Sequence, residues 1–364
     1  MALELAKYFT NQGHKVAVVT GTPLDGSHDN FPFEVYRILN DKAFRDVFVF
    51  RKIINEFNPD IIYANDLLHI LPLVWIKAKL GLEVVFRTAG NDIEGAWFNF
   101  IRSPVVVRRR VLLQLLKKAD GIITNSEYTS GILSKYQIKN NNIFKVVGGV
   151  DIEKFRPSEN LEELTRETGY CIEDIILLSV ARLLKVKGIE ITIRAVERLI
   201  SRYPNIRYLI VGHGPSFDRI RRIIKDLNLK EHVILNGSIP YDYIEKYFKI
   251  CDIYVLTPIL YEDKGRFSKS IHIETMGRGY CQASACGKPC VGSRVGGVPE
   301  VVLDGVNGIL VQPDDVEGTT TAIEKLICEP EYRQKLGEGG LRLSHELFSW
   351  DVVGKRIEKI LLSM

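Results

Sequence analysis

Residues 175–211, IILLSVARLLKVKGIEITIRAVERLISRYPNIRYLIV, decide the fold class. The run opens with IILLSV, apolar apart from one serine and without polar alternation, as expected of a strand covered on both faces. It closes with RYLIV at 207–211, a second strand. Between them Ile189, Ile193, Val196 and Ile200 recur at steps of four, three and four, which places them on one helical face. Glu190, Arg194, Glu197 and Arg198 fall between them. Strand, helix, strand is the unit from which helix-covered parallel sheets are built.

The alternation extends in both directions. Short β-rich runs lie at 15–20, 60–63, 84–87, 121–124 and 143–147. A second series lies at 175–180, 207–211, 233–236, 253–256, 289–292 and 308–311, with helical patterns between. The two series break at 148–164, GGVDIEKFRPSENLEEL, which is polar and turn-rich and reads as a hinge. The expectation is an α/β chain of two doubly wound parallel-sheet domains, 1–150 and 151–349. Ligands of open α/β sheets bind beyond the carboxyl ends of the strands, so two such sheets facing each other would enclose a cleft. The opening, MALELAKYFTNQGHKVAVVT, reads as helix, glycine turn and strand. A doubly wound domain places a strand before its first helix, so the first domain is expected to lack its first strand and the loop after it.

Composition narrows the function classes. At roughly 150 residues per domain, 364 residues suit two domains. The 26% charged and 46% hydrophobic content is ordinary for a globular protein and excludes disorder, collagen and coiled coil as the main state. A net charge of +4 is too mild to indicate a nucleic-acid partner. Cys171, Cys251 and Cys328 are scattered, and Cys281, Cys286 and Cys290 cluster without a C-x-x-C pair, so small buried thiols in a reducing compartment are expected rather than zinc ligands. No charged n-region, apolar h-region and small-residue cleavage site opens the sequence, so no secretory signal is expected. No run approaches the ~20 apolar residues of a spanning helix; the longest candidate, 67–82, carries His69, Lys77 and Lys79. The expected location is cytoplasmic, free or peripheral on the cytoplasmic face of a membrane.

Three stretches carry candidate chemistry. SVARLLKVKG at 179–188 joins a strand to a helix, so Arg182 and Lys187 fall by the strand's carboxyl end. An arginine fork, a lysine point charge and helix amides suit a diphosphate, although the same pair would also serve as solvated cations on a turn. In VGHGP at 211–215, Gly212 and Gly214 permit a tight turn and close approach of a ligand, with an ordinary turn as the alternative. The densest stretch is 261–300. There Glu274 precedes Met276, Gly277 and Arg278, where a helix running through Ala285 is expected to begin. A carboxylate before such a helix start can hold sugar hydroxyls while the free amides receive an anion. Alternatively, it is a plain helix-terminus carboxylate. Gln282, eight residues on, could face the same cleft.

As an ordered set these residues resemble the retaining glycosyltransferases of family four, which have the glycosyltransferase-B fold. That family shows Arg-Leu then Lys-Gly, V-G-x-G-P, E-G-F-G, E-A and A-x-G-x-P. Here these stand at 182–183, 187–188, 211–215, 274–277, 282–283 and 285–289, and VGGVPEVV at 295–302, DGVNGILV at 304–311 and GVDIEKFRP at 149–157 also match. FSWD at 348–351 is similar to the family's start of a last helix, here 350–364, which returns to the amino-terminal domain. The resemblance covers the whole chain.

It implies a nucleotide-diphosphate sugar held mainly by the second domain and no metal or other cofactor. Arg182 and Lys187 would neutralise the leaving diphosphate, and Glu274 would bind hexose hydroxyls. Amides near Met276 and Gly277 would touch the sugar, Gln282 would hold the ribose, and Ile239 would lie near the base. Transfer would retain configuration, with the leaving phosphate as base. The chain departs from the pattern in three places. Gln282 replaces a glutamate. The family's His-Gly-x-Asp reads Ala89-Gly90-Asn91-Asp92, leaving Asn91 or Asp92 to substitute on the acceptor side. The amino-terminal glycine-rich loop has no counterpart.

The insertion at 260–272 resembles the phosphatidylinositol mannoside mannosyltransferases, which points to a nucleotide-mannose donor and a sugar or lipid-linked acceptor. In VVVRRRVLLQLLKK at 105–118, an apolar stripe accompanies six cations, counting Arg102, and Trp97, Phe98 and Phe100 precede it. This reads either as an anionic-membrane contact or as an amphipathic core helix with a solvated face. A non-catalytic nucleotide-sugar-binding paralogue and a nucleotide-sugar epimerase are the alternative functions.

Overall fold

The computed structural model describes residues 2–20, 31–37, 43–65, 67, 69–94, 105–138, 142–171, 173–265 and 268–364. The chain divides into two compact units, one of Met1–Gly148, Glu262–Ile271 and Trp350–Met364, the other of Gly149–Tyr261 and His272–Ser349.

In the first unit β1 (Ala17–Thr20) pairs in parallel with β2 (Glu34–Arg37). β3 (Ile61–Ala64), β4 (Glu83–Thr88), β5 (Gly121–Thr124) and β6 (Ile143–Lys145) form a separate parallel sheet in that order. Strand alternation sends Val85 and Ile123 to one face, where they meet Leu5 of the helix Ala2–Asn11 and Val353 and Ile357 of the helix Trp350–Leu361. Val84, Phe86 and Ile122 point the other way, into a core completed by Phe50, Ile70, Leu73 and Leu112. Gly354 lets the two outer helices close: a Cβ there would lie 2.4 Å from the Tyr8 ring. The Tyr8 hydroxyl donates to Glu358 at 3.0 Å.

The strands β1 and β3 do not pair with each other, yet Val19 packs on the same core as Ile62 and Ala64. Among the described residues both sheets of this unit are parallel and share that core.

The second unit holds β7 (Ile175–Val180), β8 (Ile206–Val211), β9 (Val233–Gly237), β10 (Ile253–Leu256), β13 (Cys290–Ser293) and β14 (Gly308–Val311). These form one parallel sheet, ordered β14-β13-β10-β7-β8-β9. β11 (Tyr261–Gly265) and β12 (Ser268–His272) form a hairpin between β10 and β13. Successive strands thus run outward to one side from β7 and then to the other from β10. The topological switch point lies between β7 and β10, where such sheets bind ligands. The helix after β7, Ile189–Leu199, buries Ile189, Ile193 and Val196 as its spacing predicts. It ends at Leu199, so Ile200, expected on the same face, lies just past the helix and is only half-buried. Cys251, Cys281, Cys286 and Cys290 are buried, whereas Cys171 and Cys328 are exposed. Burial pushes the Cys281 and Cys286 thiols up to about 12.

Candidate functional site

The switch point is where the candidate residues gather. After β7 the Ala181 amide donates to the Val211 carbonyl and the Leu183 amide to that of His213, both at 3.0 Å. Arg182, between them, is exposed, with no ion-pair partner among the described residues. Gly212, at φ 140°, is needed because a Cβ there would lie 1.9 Å from the Ala181 carbonyl oxygen. The close approach anticipated at the G-x-G turn is therefore made by the protein's own chain, and Gly214 likewise abuts Leu183.

The chain then makes a tight turn, Lys185–Lys187, and enters its helix through Gly188 at φ 66°. A Cβ at Gly188 would lie 1.8 Å from the Thr257 carbonyl oxygen. The Thr257 hydroxyl donates to the Gly188 carbonyl at 3.3 Å, and the Ile259 amide donates to the Val186 carbonyl at 2.9 Å. The loop after β7 is thus fastened to the segment after β10, across the switch point.

That docking brings Lys187 to Glu274. The ammonium donates to the carboxylate, in an ion pair whose side chains are 20% and 11% exposed. The Glu274 backbone is itself fixed. Its carbonyl accepts from the Gly297 amide at 3.0 Å, and only glycine fits at Gly296, whose Cβ would lie 1.9 Å from that oxygen. This gives the VGGVP stretch a positioning role.

The helix expected to begin near Glu274 is Arg278–Ala285, entered through Gly277 at φ 85°. A Cβ at that left-handed residue would strike the Tyr280 ring at 2.5 Å. Glu274 is therefore not a helix-terminus carboxylate; it stands in the irregular segment between β12 and the helix, paired with Lys187. Met276 is buried beside the helix entry, and Arg278 is exposed on the first turn, whose leading amides have no intrahelical partner. Gln282 is buried further along the helix, and Ile239 is half-buried just past β9. Neither joins the ion pair.

Asn91 and Asp92 belong to the first unit, on the short helix Asn91–Glu94 after β4. The Asp92 carboxylate accepts from the Thr88 hydroxyl at 2.5 Å and from the Ile93 amide at 3.1 Å. Burial holds its carboxyl above the usual range. The Thr88 hydroxyl also accepts from the Gly90 amide at 3.0 Å, so Asp92 braces this turn. Two polar groups at the end of β3 escaped the sequence reading. The buried Tyr63 hydroxyl and the Asn65 side-chain oxygen have no hydrogen-bond partner among the described residues. Burial pushes the Tyr63 phenol up to about 12. Only their place at a strand's carboxyl end could have marked them. Among the described residues no cluster of His, Cys, Asp or Glu could hold a metal ion.

Comparison with known proteins places this arrangement. The crystal structure of HepE from Anabaena, in complex with UDP, superposes with a TM-score of 0.81 at 20% identity, covering 100% of this chain and 95% of that one. The fold is that of the glycosyltransferase-B enzymes, with two Rossmann-like domains. Residues 1–154 match the family described as Glycosyltransferase Family 4, and residues 162–342 match Glycosyl transferases group 1. The chain belongs to the family-four glycosyltransferases and is a glycosyltransferase. It is 29% identical over 279 residues to a GDP-mannose-dependent phosphatidylinositol monomannoside mannosyltransferase of Mycolicibacterium smegmatis, over 77% of this chain and 70% of that protein. It is also 27% identical over 247 residues to a D-inositol 3-phosphate glycosyltransferase of Thermobifida fusca, over 65% of this chain and about half (54%) of that protein.

Proposed function

We propose that the protein transfers a hexosyl group, mannose by preference, from a nucleotide-diphosphate sugar held by the second unit to a sugar or lipid-linked acceptor. Configuration is retained and no metal takes part. The observation that carries this reading is the Lys187–Glu274 pair at the β7–β10 switch point, on the same loop after β7 as Arg182, which has no ion-pair partner among the described residues. An incoming diphosphate offers Lys187 a doubly charged partner, and Arg182 closes on the same group. Glu274, released from Lys187, is then free to accept hydrogen bonds from hexose hydroxyls. As the glycosidic bond breaks, negative charge grows on the phosphate where the two cations already stand, which is charge stabilisation of the kind a metal would otherwise supply. The freed phosphate oxygen takes the proton of the attacking hydroxyl on the same face, which gives retention. The GDP-mannose-dependent relative supports the choice of sugar.

The expected outcome of a thermal-shift screen is stabilisation by GDP-mannose or another nucleotide sugar. A ligand at about 100 times its dissociation constant adds about 2.7 kcal/mol. No shift with any nucleotide sugar, at concentrations that shift a known transferase, overturns the donor assignment. A chelator is expected to leave turnover unchanged.

The acceptor side extends to a peripheral contact of the first unit with anionic membrane on its cytoplasmic face. In the helix Val105–Leu116 the apolar stripe is partly core, since Leu112, Leu113 and Leu116 are buried. Arg110, Val111, Lys117 and Lys118 are exposed around it, and neighbouring helices expose Phe48 (76%) and Trp75 (43%). The side chains of Arg108 and Arg109, and residues Arg102, Trp97, Phe98 and Phe100, lie outside the description. Each cation near an anionic bilayer is worth about 1 kcal/mol. Co-sedimentation with anionic vesicles is therefore expected and should fall with salt; equal recovery with neutral vesicles leaves only the core-helix reading. Among the described residues no helix is long and apolar enough to cross a membrane.

A further inference from the structure

The hairpin leaves the second unit at Tyr261, the first residue of β11, and returns at His272, the last of β12. These two rings stack at 6.1 Å between centroids, with 29° between their planes. The ammonium of Lys185 lies 4.7 Å from the centroid of the same Tyr261 ring. Lys185 opens the turn that carries Lys187, and Tyr261 comes two residues after Ile259, whose amide holds the Val186 carbonyl of that turn. The turn is thus gripped twice from one segment, by backbone at Val186 and by a ring at Lys185. His272, on the other side of the hairpin, comes two residues before Glu274. Both members of the ion pair therefore stand two residues from a member of the Lys185–Tyr261–His272 stack.

We propose that Tyr261 is a positioning residue for the donor site: its ring holds Lys185, and so fixes the turn that presents Lys187 to Glu274 and to the donor diphosphate. The part concerning the diphosphate rests on the nucleotide-sugar reading above. The root of the hairpin is half-exposed at Tyr261 and His272, so burial alone does not account for a ring at Tyr261. The contact uses an exposed lysine whose charge no carboxylate among the described residues pairs. The stack lies where the chain passes out of the second unit and back, so the grip on Lys187 depends on the hairpin's root being closed.

The test compares wild type with Tyr261→Leu, Tyr261→Phe and Lys185→Met by amide hydrogen exchange on the ligand-free protein and by titration with UDP and GDP. The Lys187, Gly188 and Ile259 amides are expected to exchange about fourfold faster in Tyr261→Leu, the size of one exposed cation–π contact. Lys185→Met, a change at an exposed side chain, should show the same loss, and the double variant no more than either. Tyr261→Phe keeps the ring and should keep wild-type exchange. The tighter-binding nucleotide should weaken about fourfold in Leu and Met and recover in Phe. Wild-type exchange in both Tyr261→Leu and Lys185→Met, or failure of Phe to restore it, overturns the proposal. Should the amides respond as expected while wild type binds neither nucleotide, the positioning role stands and the donor reading falls.

Discussion

Replacing Lys187 by alanine lowers turnover at least ~100-fold, and Arg182→Ala does the same, in a steady-state assay with saturating acceptor. A preorganised donor aimed at developing charge is worth about 10²–10³ in rate, and on the proposed mechanism each substitution removes one from the breaking glycosyl phosphate bond. The two differ in what else they disturb. Arg182 is exposed and has no ion-pair partner among the described residues, so its loss is expected to leave melting unchanged. Loss of Lys187 leaves the Glu274 carboxylate, 11% exposed, without its partner, so some stability goes with the activity. The pairing also gives a prediction of opposite sign. Glu274→Gln frees Lys187, so bare nucleoside diphosphate should bind several-fold more tightly while transfer drops, the combination expected if donor and carboxylate compete for one ammonium. Near-normal turnover in both Arg182→Ala and Lys187→Ala, with the fold intact, sinks the assignment.

Gly188→Ala is expected to be the most damaging single methyl in the second unit. Its Cβ would meet the Thr257 carbonyl oxygen at 1.8 Å while φ stays at 66°, so both the clash and the left-handed backbone oppose it. Neither partner is the end of a flexible side chain. Relief requires the turn to move away from β10, taking Lys187 with it. A loss on the order of 4 kcal/mol on denaturant unfolding is expected, at the upper end of single-substitution effects, together with loss of nucleotide binding. Gly169→Ala is the control: φ is 83° but nothing lies within 4 Å, so only the ~1–2 kcal/mol of left-handed strain applies. Equal stability of the two variants shows that the close approach at Thr257 does not constrain the turn.

The strands 121–124, 175–180 and 253–256 were legible to the residue, because each lies inside its sheet and reads as a mainly apolar run without alternation. β2, EVYR, was not, since its outer residues are charged and exposed. The hairpin strands YEDKG and SKSIH carry no apolar run or clean alternation and looked like an insertion. Arg182, Lys187 and Glu274 were legible as candidates from their place past strand ends and from the family resemblance. Their pairing was not, because 87 residues separate Lys187 from Glu274 and only the β7–β10 adjacency brings them together. The role of the second G-G pair, holding the Glu274 carbonyl, likewise depends on a tertiary approach that no spacing encodes.

All six cysteines lie in the second unit, and four of them are sealed within it. Burial keeps those thiols protonated, so a thiol reagent at neutral pH meets only Cys171 and Cys328 at once. The remaining sulfurs become a clock for the opening of that half alone, while the other half, having none, stays silent to the same reagent. The slow phase of labelling then times the breathing of the second unit in the intact chain, and a nucleotide bound there, as proposed, should lengthen it.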